Sequence, residues 1–206
     1  MALRPIFLSF MVTSNPPAVT PDHPSEPEVV ARVRTWLERA VVGLNLCPFA
    51  RAPMVHGRLR MHVSQACDTE ALLADLDHEL SLLAGNAPGD IETTLLVHPH
   101  VLTDFDDYND FLTIADLAVR MRGLEGEIQV ASFHPDYQFA DSAPDDIENY
   151  TNRSPYPILH LLRESSIDAA VAAMPDTDAI YERNKQTLRK LGLEGWQALL
   201  KTSAPR

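Results

Sequence analysis

Strand and helix signals alternate along this chain, and they predict an α/β domain: a small, mainly parallel three-stranded sheet, an N-terminal helix and several C-terminal helices. Three stretches carry the reading. Residues 58–64, RLRMHVS, alternate strictly, with Leu59, Met61 and Val63 on one face and Arg58, Arg60 and His62 on the other, as in a half-buried strand. Residues 92–98, ETTLLVH, are apolar nearly throughout and suit an interior strand. Residues 128–134, IQVASFH, break off at Pro135. The stretches between them have helical period, and the order strand, helix, strand, helix, strand implies right-handed crossovers in a parallel sheet.

The remaining elements follow in order. Residues 1–27 read as a disordered proline-rich lead, and 28–206 as one domain. The apolar start, MALRPIFLSFMV, is too short for a membrane span and meets no small-x-small cleavage site; initiation at Met11 is the alternative to a signal peptide. Ser25 and Glu28 have capping-box spacing, and Val29, Val33, Trp36, Ala40 and Leu44 then recur at helical intervals, to about Gly43. A leucine-rich helix from Asp68 or Thr69 ends near GNAPGD, and acids open a helix over roughly 104–122 that stops at glycine after two arginines. Further helices are expected over 155–163, 168–174 and 178–191, with a short last one around Trp196.

Charge narrows the function classes. The net charge of -12 is concentrated in residues 68–150, with 19 acids against 2 arginines. Such a surface repels phosphate backbones, so nucleic-acid binding is not expected, and no basic amphipathic stretch suits a membrane surface. Two cysteines are too few for a disulfide framework in a chain of this length, which favours a reducing, cytoplasmic setting. Dinucleotide, Walker, nucleophile-elbow, zincin and paired C-x-x-C motifs are missing.

Chemistry is expected at the carboxyl ends of the strands, where the connecting loops of an open parallel sheet converge. His98 and His100 leave the second strand there and His134 leaves the third, each strand closed by a His-Pro pair that holds its histidine extended. Cys47, in LNLCPFAR, takes a cap position if Pro48 opens a helix, which lowers a thiol's pKa, and Arg51 one turn on reinforces it. Cys67 is a weaker candidate, as a resolving thiol. In NYTNRSPYPILHLLRE, Ser154 reads as an N-cap with Pro155 at the first helical position, so that the helix start and Asn152, Arg153 and Tyr156 form an anion site. His160 and Arg163 would then share one helix face.

The stretches LNLCPFAR, SFHPDYQF and NRSPYPILHLLRE, in this order, resemble an uncharacterised bacterial family, the domain of unknown function numbered 1415, over roughly residues 28–196. The resemblance implies no reaction, cofactor or catalytic residue.

Three functional readings follow. The first is an enzyme acting on a small anionic metabolite, with Arg51, Asn152, Arg153, Ser154, Tyr156, His160 and Arg163 as binding residues, His134 as acid or base and Cys47 as nucleophile. The second is a zinc or iron site of His98, His100 and His134, completed by Asp136 or Cys47. The third is a non-catalytic module for a protein partner.

Overall fold

The computed structural model describes residues 23–172 and 178–201, so most of the proline-rich lead lies outside the described residues. Helix α1 (Glu26–Trp36) begins two residues before the expected domain boundary. Its capping box is formed: the backbone N–H and the hydroxyl of Ser25 both donate to Glu28, at 2.9 and 2.7 Å. The helix continues as a π-helical segment (Leu37–Val42). Then come α2 (Arg51–Val55), β1 (Leu59–Val63), α3 (Thr69–Gly85), β2 (Thr93–Val97), α4 (Phe105–Met121) and β3 (Ile128–Phe133). A 3-10 turn (Ile147–Thr151) leads into β4 (Ile158–Arg163), followed by α5 (Glu164–Ala172) and α6 (Asp178–Leu200). Gly192, at φ 67, breaks α6 where two separate helices were expected.

The sheet has four strands, not three, and is mixed rather than mainly parallel: the order is β1-β2-β4-β3, with β1 and β2 parallel and β4 antiparallel to both its neighbours. The added strand lies where a helix over 155–163 was expected. Pro155 and Pro157 stand two residues apart, and each holds the residue before it out of the helical region, so no helix can start at Ser154. The apolar run ILHLL is then free to enter the sheet as a central strand. β1, β2 and β3 nevertheless point the same way, and the crossovers through α3 and α4 step across the sheet in one direction. A common handedness therefore puts both helices on one face.

The sheet separates two apolar layers. On one face Leu72, Leu76, Leu80 and Leu83 of α3 and Tyr108, Phe111 and Ala115 of α4 pack on Leu96, Leu159 and Leu161. On the other, Val29, Val33 and Trp36 of α1 and Leu188 and Trp196 of α6 pack on Leu95, Val97 and Ile158. The α3 side also carries a polar seam. Arg60 of β1 makes a two-pronged bond to the fully buried Glu79 (2.6 and 2.8 Å), the His62 ring lies 3.7 Å from the same carboxylate, and Ser64 donates to Asp75 at 2.6 Å. Glu79 has left water entirely and depends on that guanidinium. Arg60→Ala should therefore lower stability in urea unfolding by about 3 kcal/mol, with most of the loss recovered by adding Glu79→Leu, because the cost lies in an unpaired buried charge.

Candidate functional site

Because β1, β2 and β3 run together, their carboxyl ends meet at one edge, and the antiparallel β4 brings the 152–157 segment to the same edge. His134 ties these pieces together. Its backbone N–H donates to Asn152 O and its carbonyl accepts from Ser154 N–H, both at 3.3 Å, which carries the β3–β4 pairing past the last strand residues. Its ring Nδ1 accepts from the Asp136 backbone N–H (3.0 Å), so in the neutral ring the proton sits on Nε2 and is donated to Leu102 O (3.2 Å). Leu102 holds a left-handed φ of 55, a strained conformation for leucine that aims its carbonyl at that proton.

Behind His134 lies an aromatic wall. The Tyr108 ring is 5.0 Å from it and Phe105 5.4 Å, while the Tyr108 hydroxyl donates to Ile158 O (2.8 Å) and accepts from Phe133 N–H (3.1 Å). His98, fully buried, stacks on Tyr108 and donates from Nδ1 to Val101 O (2.9 Å), and its buried Nε2 meets no partner among the described residues. On the other face of the sheet His160 Nε2–H donates to Thr93 Oγ1 (2.7 Å), whose own proton goes to Leu161 O.

Two clefts open beside this centre and share Asp136, Tyr150 and Arg153 as a common wall. One, of about 640 Å³, runs between α1 and α6 and adds Arg32, Thr35, Trp196 and Lys201. The other, of about 590 Å³, adds Asp104, Asp106 and Asp145 together with Phe105 and Gln138. The first is basic and the second acidic. Arg153 donates from Nε to Tyr137 O (3.1 Å) and from Nη2 to Pro144 O (2.7 Å), and its guanidinium lies 4.5 Å over the Tyr150 ring.

A family model, described as a protein of unknown function (DUF1415), matches residues 28–198. The chain belongs to that family. No curated protein and no solved structure matches it. The DUF1415 match spans all four strands, the acidic cleft and the basic cleft apart from Leu200 and Lys201.

Of the residues singled out in the sequence, the structure brings His134, Asn152, Arg153 and Ser154 together. The route differs from the expected one. Ser154 is buried with its hydroxyl donating to Tyr156 O (2.6 Å), and no helix starts there. Tyr156 turns into the α1-side core, its buried hydroxyl without a partner among the described residues. His160 and Arg163 do not share a face, since three residues along a strand reverse the side: Arg163, at the far end of β4, donates to the carbonyls of Leu83, Asn86 and Ile91 and closes the end of α3. Arg51 is exposed on α2 and lines neither cleft.

Cys47 is not a helix cap either, because Pro48 and Phe49 form a turn and α2 starts only at Arg51. Burial pushes its thiol pKa up, more than the neighbouring N–H groups of Phe49 and Ala50 pull it down. It also packs in the α1-side layer, whereas His134 faces α4, so the sheet stands between them. The three proposed metal ligands do not converge: His98 and His134 have committed ring nitrogens to backbone groups, and His100 sits edge-on to His23 at 4.6 Å. Among the described residues no group of three or more His, Cys, Asp or Glu is arranged to hold a metal ion. Nor, among them, is any helix long and apolar enough to cross a membrane. Sequence reasoning missed Arg32, Tyr150, Trp196 and Lys201; Arg32 and Thr35, three apart on the polar side of α1, were the legible sign.

Two outcomes follow. Iodoacetamide at neutral pH should modify the exposed Cys67 well before Cys47, as read by mass spectrometry of timed samples; equal rates would contradict the raised thiol pKa. Burial also holds His98 and His160 neutral, with pKa values pushed down to about 4 against an ordinary 6.5. The unfolded chain takes up those two protons first, so this stability is complete above pH 6.5 and is lost as pH falls towards 4. Urea unfolding should show a decline of about 2–3 kcal/mol per pH unit near pH 5; a flat profile there would mean that the rings protonate within the fold.

Proposed function

We propose that this protein binds a small anionic metabolite in the basic cleft between α1, α6 and the loops that follow β3. One observation carries the reading: Arg32, Arg153 and Lys201 line a single cleft with the aromatic rings of Tyr150 and Trp196, and among the described residues none of the three cations forms a close ion pair. A concave site of this size with a few placed charges and an aromatic wall suits a metabolite rather than a flat macromolecular surface. The Arg153 fork is preoriented by its two backbone acceptors, and its Nη1 meets no acceptor among the described residues. Neither Cys47 nor His134 is assigned a chemical step, because the thiol lines neither cleft and lies across the sheet from His134, and both imidazole nitrogens of His134 are already bonded.

The two arginines separate binding from folding. Arg32 is exposed, so Arg32→Ala should weaken sulfate binding several-fold in an NMR or calorimetric titration while leaving the melting temperature unchanged. Arg153→Ala should weaken binding and also lower apo stability by about 1–3 kcal/mol, since it removes the donors to Tyr137 O and Pro144 O. Sulfate affinity unchanged in Arg32→Ala would sink the cleft assignment.

A further inference from the structure

We propose that the His134 ring is a pH-sensitive latch on the basic cleft, releasing the cleft-lining turn when Nδ1 takes up a proton. The inference rests on the cleft reading above for what the latch controls, but not for whether it moves. The geometry is short and continuous. Asp136 N–H donates to Nδ1 of His134 at 3.0 Å, and the same turn is closed by Tyr137 N–H donating to His134 O at 3.2 Å. The carbonyl of Tyr137 accepts from Arg153 Nε at 3.1 Å, and Asp136 and Arg153 both line the basic cleft. One turn therefore separates the imidazole from the guanidinium expected to meet the anion.

Protonation of Nδ1 changes an acceptor into a donor that faces the Asp136 N–H. That bond is lost and becomes a repulsion, while Nε2–H can keep Leu102 O. The turn must shift, and the peptide that orients Arg153 shifts with it.

The surroundings decide where this happens. Burial pushes the His134 pKa below its ordinary value. Leu102 O and the carboxylates of Asp136, in its own turn, and Asp104, at the cap of α4, oppose that shift. Tyr108 from α4 faces the ring as a neutral hydroxyl bonded at both ends, and Tyr137 leaves the turn against Phe105. His98, from the end of β2, is held neutral down to about 4 and so stays uncharged while His134 titrates. The switch thus lies on the acid side of neutrality and is carried by one ring.

Nitrogen-resolved NMR of the full chain, titrated from pH 7.5 to 5.0 without ligand, reads the latch directly. The His134 ring should pass from the Nε2–H tautomer to the imidazolium, and the Asp136 amide and Arg153 Nε–H resonances should follow the same curve. In His134→Asn, whose side-chain oxygen can accept from Asp136 but cannot titrate, both should stay flat; should that variant not fold, the wild-type curves decide alone. Sulfate, whose charge is constant over this range, is the probe for the cleft, and its affinity should fall about twofold or more from pH 7.5 to 5.5, against the ordinary tendency of anions to bind better in acid. Cleft resonances that stay flat while His134 titrates, or a ring that stays neutral at pH 5.0, overturn the latch even if sulfate binds. Resonances that move with His134 in a chain that binds no sulfate at any pH uphold the latch and refute the anion reading.

Discussion

The arrangement at the carboxyl edge depends on one constraint: β4 runs against its neighbours and is inserted between β2 and β3. A strand in that position needs a loop that returns from the end of β3 to the same edge. Residues 134–157 are that loop. It cannot leave the protein, because both of its ends are paired into the sheet. Its backbone polar groups must therefore be satisfied locally, and the side chains that do so include His134, Gln138, Ser142, Asn149, Arg153 and Ser154. Asn149 is fully buried, and its carboxamide accepts from Phe139 N–H and donates to Ala143 O. What looks like a cluster of reactive residues is in large part a set of braces for an irregular loop.

That division explains which parts of the site were legible in the sequence. The strand ends at His98 and His134 were readable, because a proline after an apolar strand stops the ladder wherever it occurs. Their meeting at one edge was readable too, and it survived the change in topology because β3 keeps the direction of β1 and β2 even with β4 between them. The 155–163 stretch was misread. A serine before a proline fits a helix start, and the second proline, which forbids it, acts through the backbone of the residue before it and not through any visible period. The error carried the anion site with it: the binding residues placed on that helix scatter to a core, a far strand end and a loop, and only Asn152, Arg153 and Ser154 stay near the cleft. Cys47 failed for a related reason, since a cap depends on where a helix begins, and α2 begins four residues later. Arg32, Trp196 and Lys201 belong to elements at opposite ends of the chain, and nothing local in a sequence says that α1 and α6 cover the same face.

Tautomer and burial carry more than residue type at this site. A histidine at a strand end suggests acid-base chemistry, but a ring whose two nitrogens hold two loops has no nitrogen left for a substrate proton. The same bonds give His134 a different capacity. An imidazole bridging two backbone groups is neutral by construction, and its protonation must break the bond it accepts. The strained φ of Leu102 belongs to the same device, because the carbonyl it aims at Nε2 fixes the tautomer that leaves Nδ1 as the acceptor.

The uneven charge of the sequence becomes uneven in space by the same topology. The acidic middle of the chain builds α3, α4 and the loops over one face of the sheet, while α1 and α6, from the less acidic ends, cover the other. The boundary between the two surfaces falls on the 134–157 loop, where Asp136, Tyr150 and Arg153 wall both clefts. A chain with net charge -12 repels small anions over most of its surface. Among the described residues Arg32, Arg153 and Lys201 form no close ion pair, and gathering them in one concave region is what lets them offset that field locally, where the same charges dispersed over the surface would be outweighed. On the proposed anion reading, focusing of the field by the cleft walls acts where Arg153 is held in place by Tyr137 O and Pro144 O.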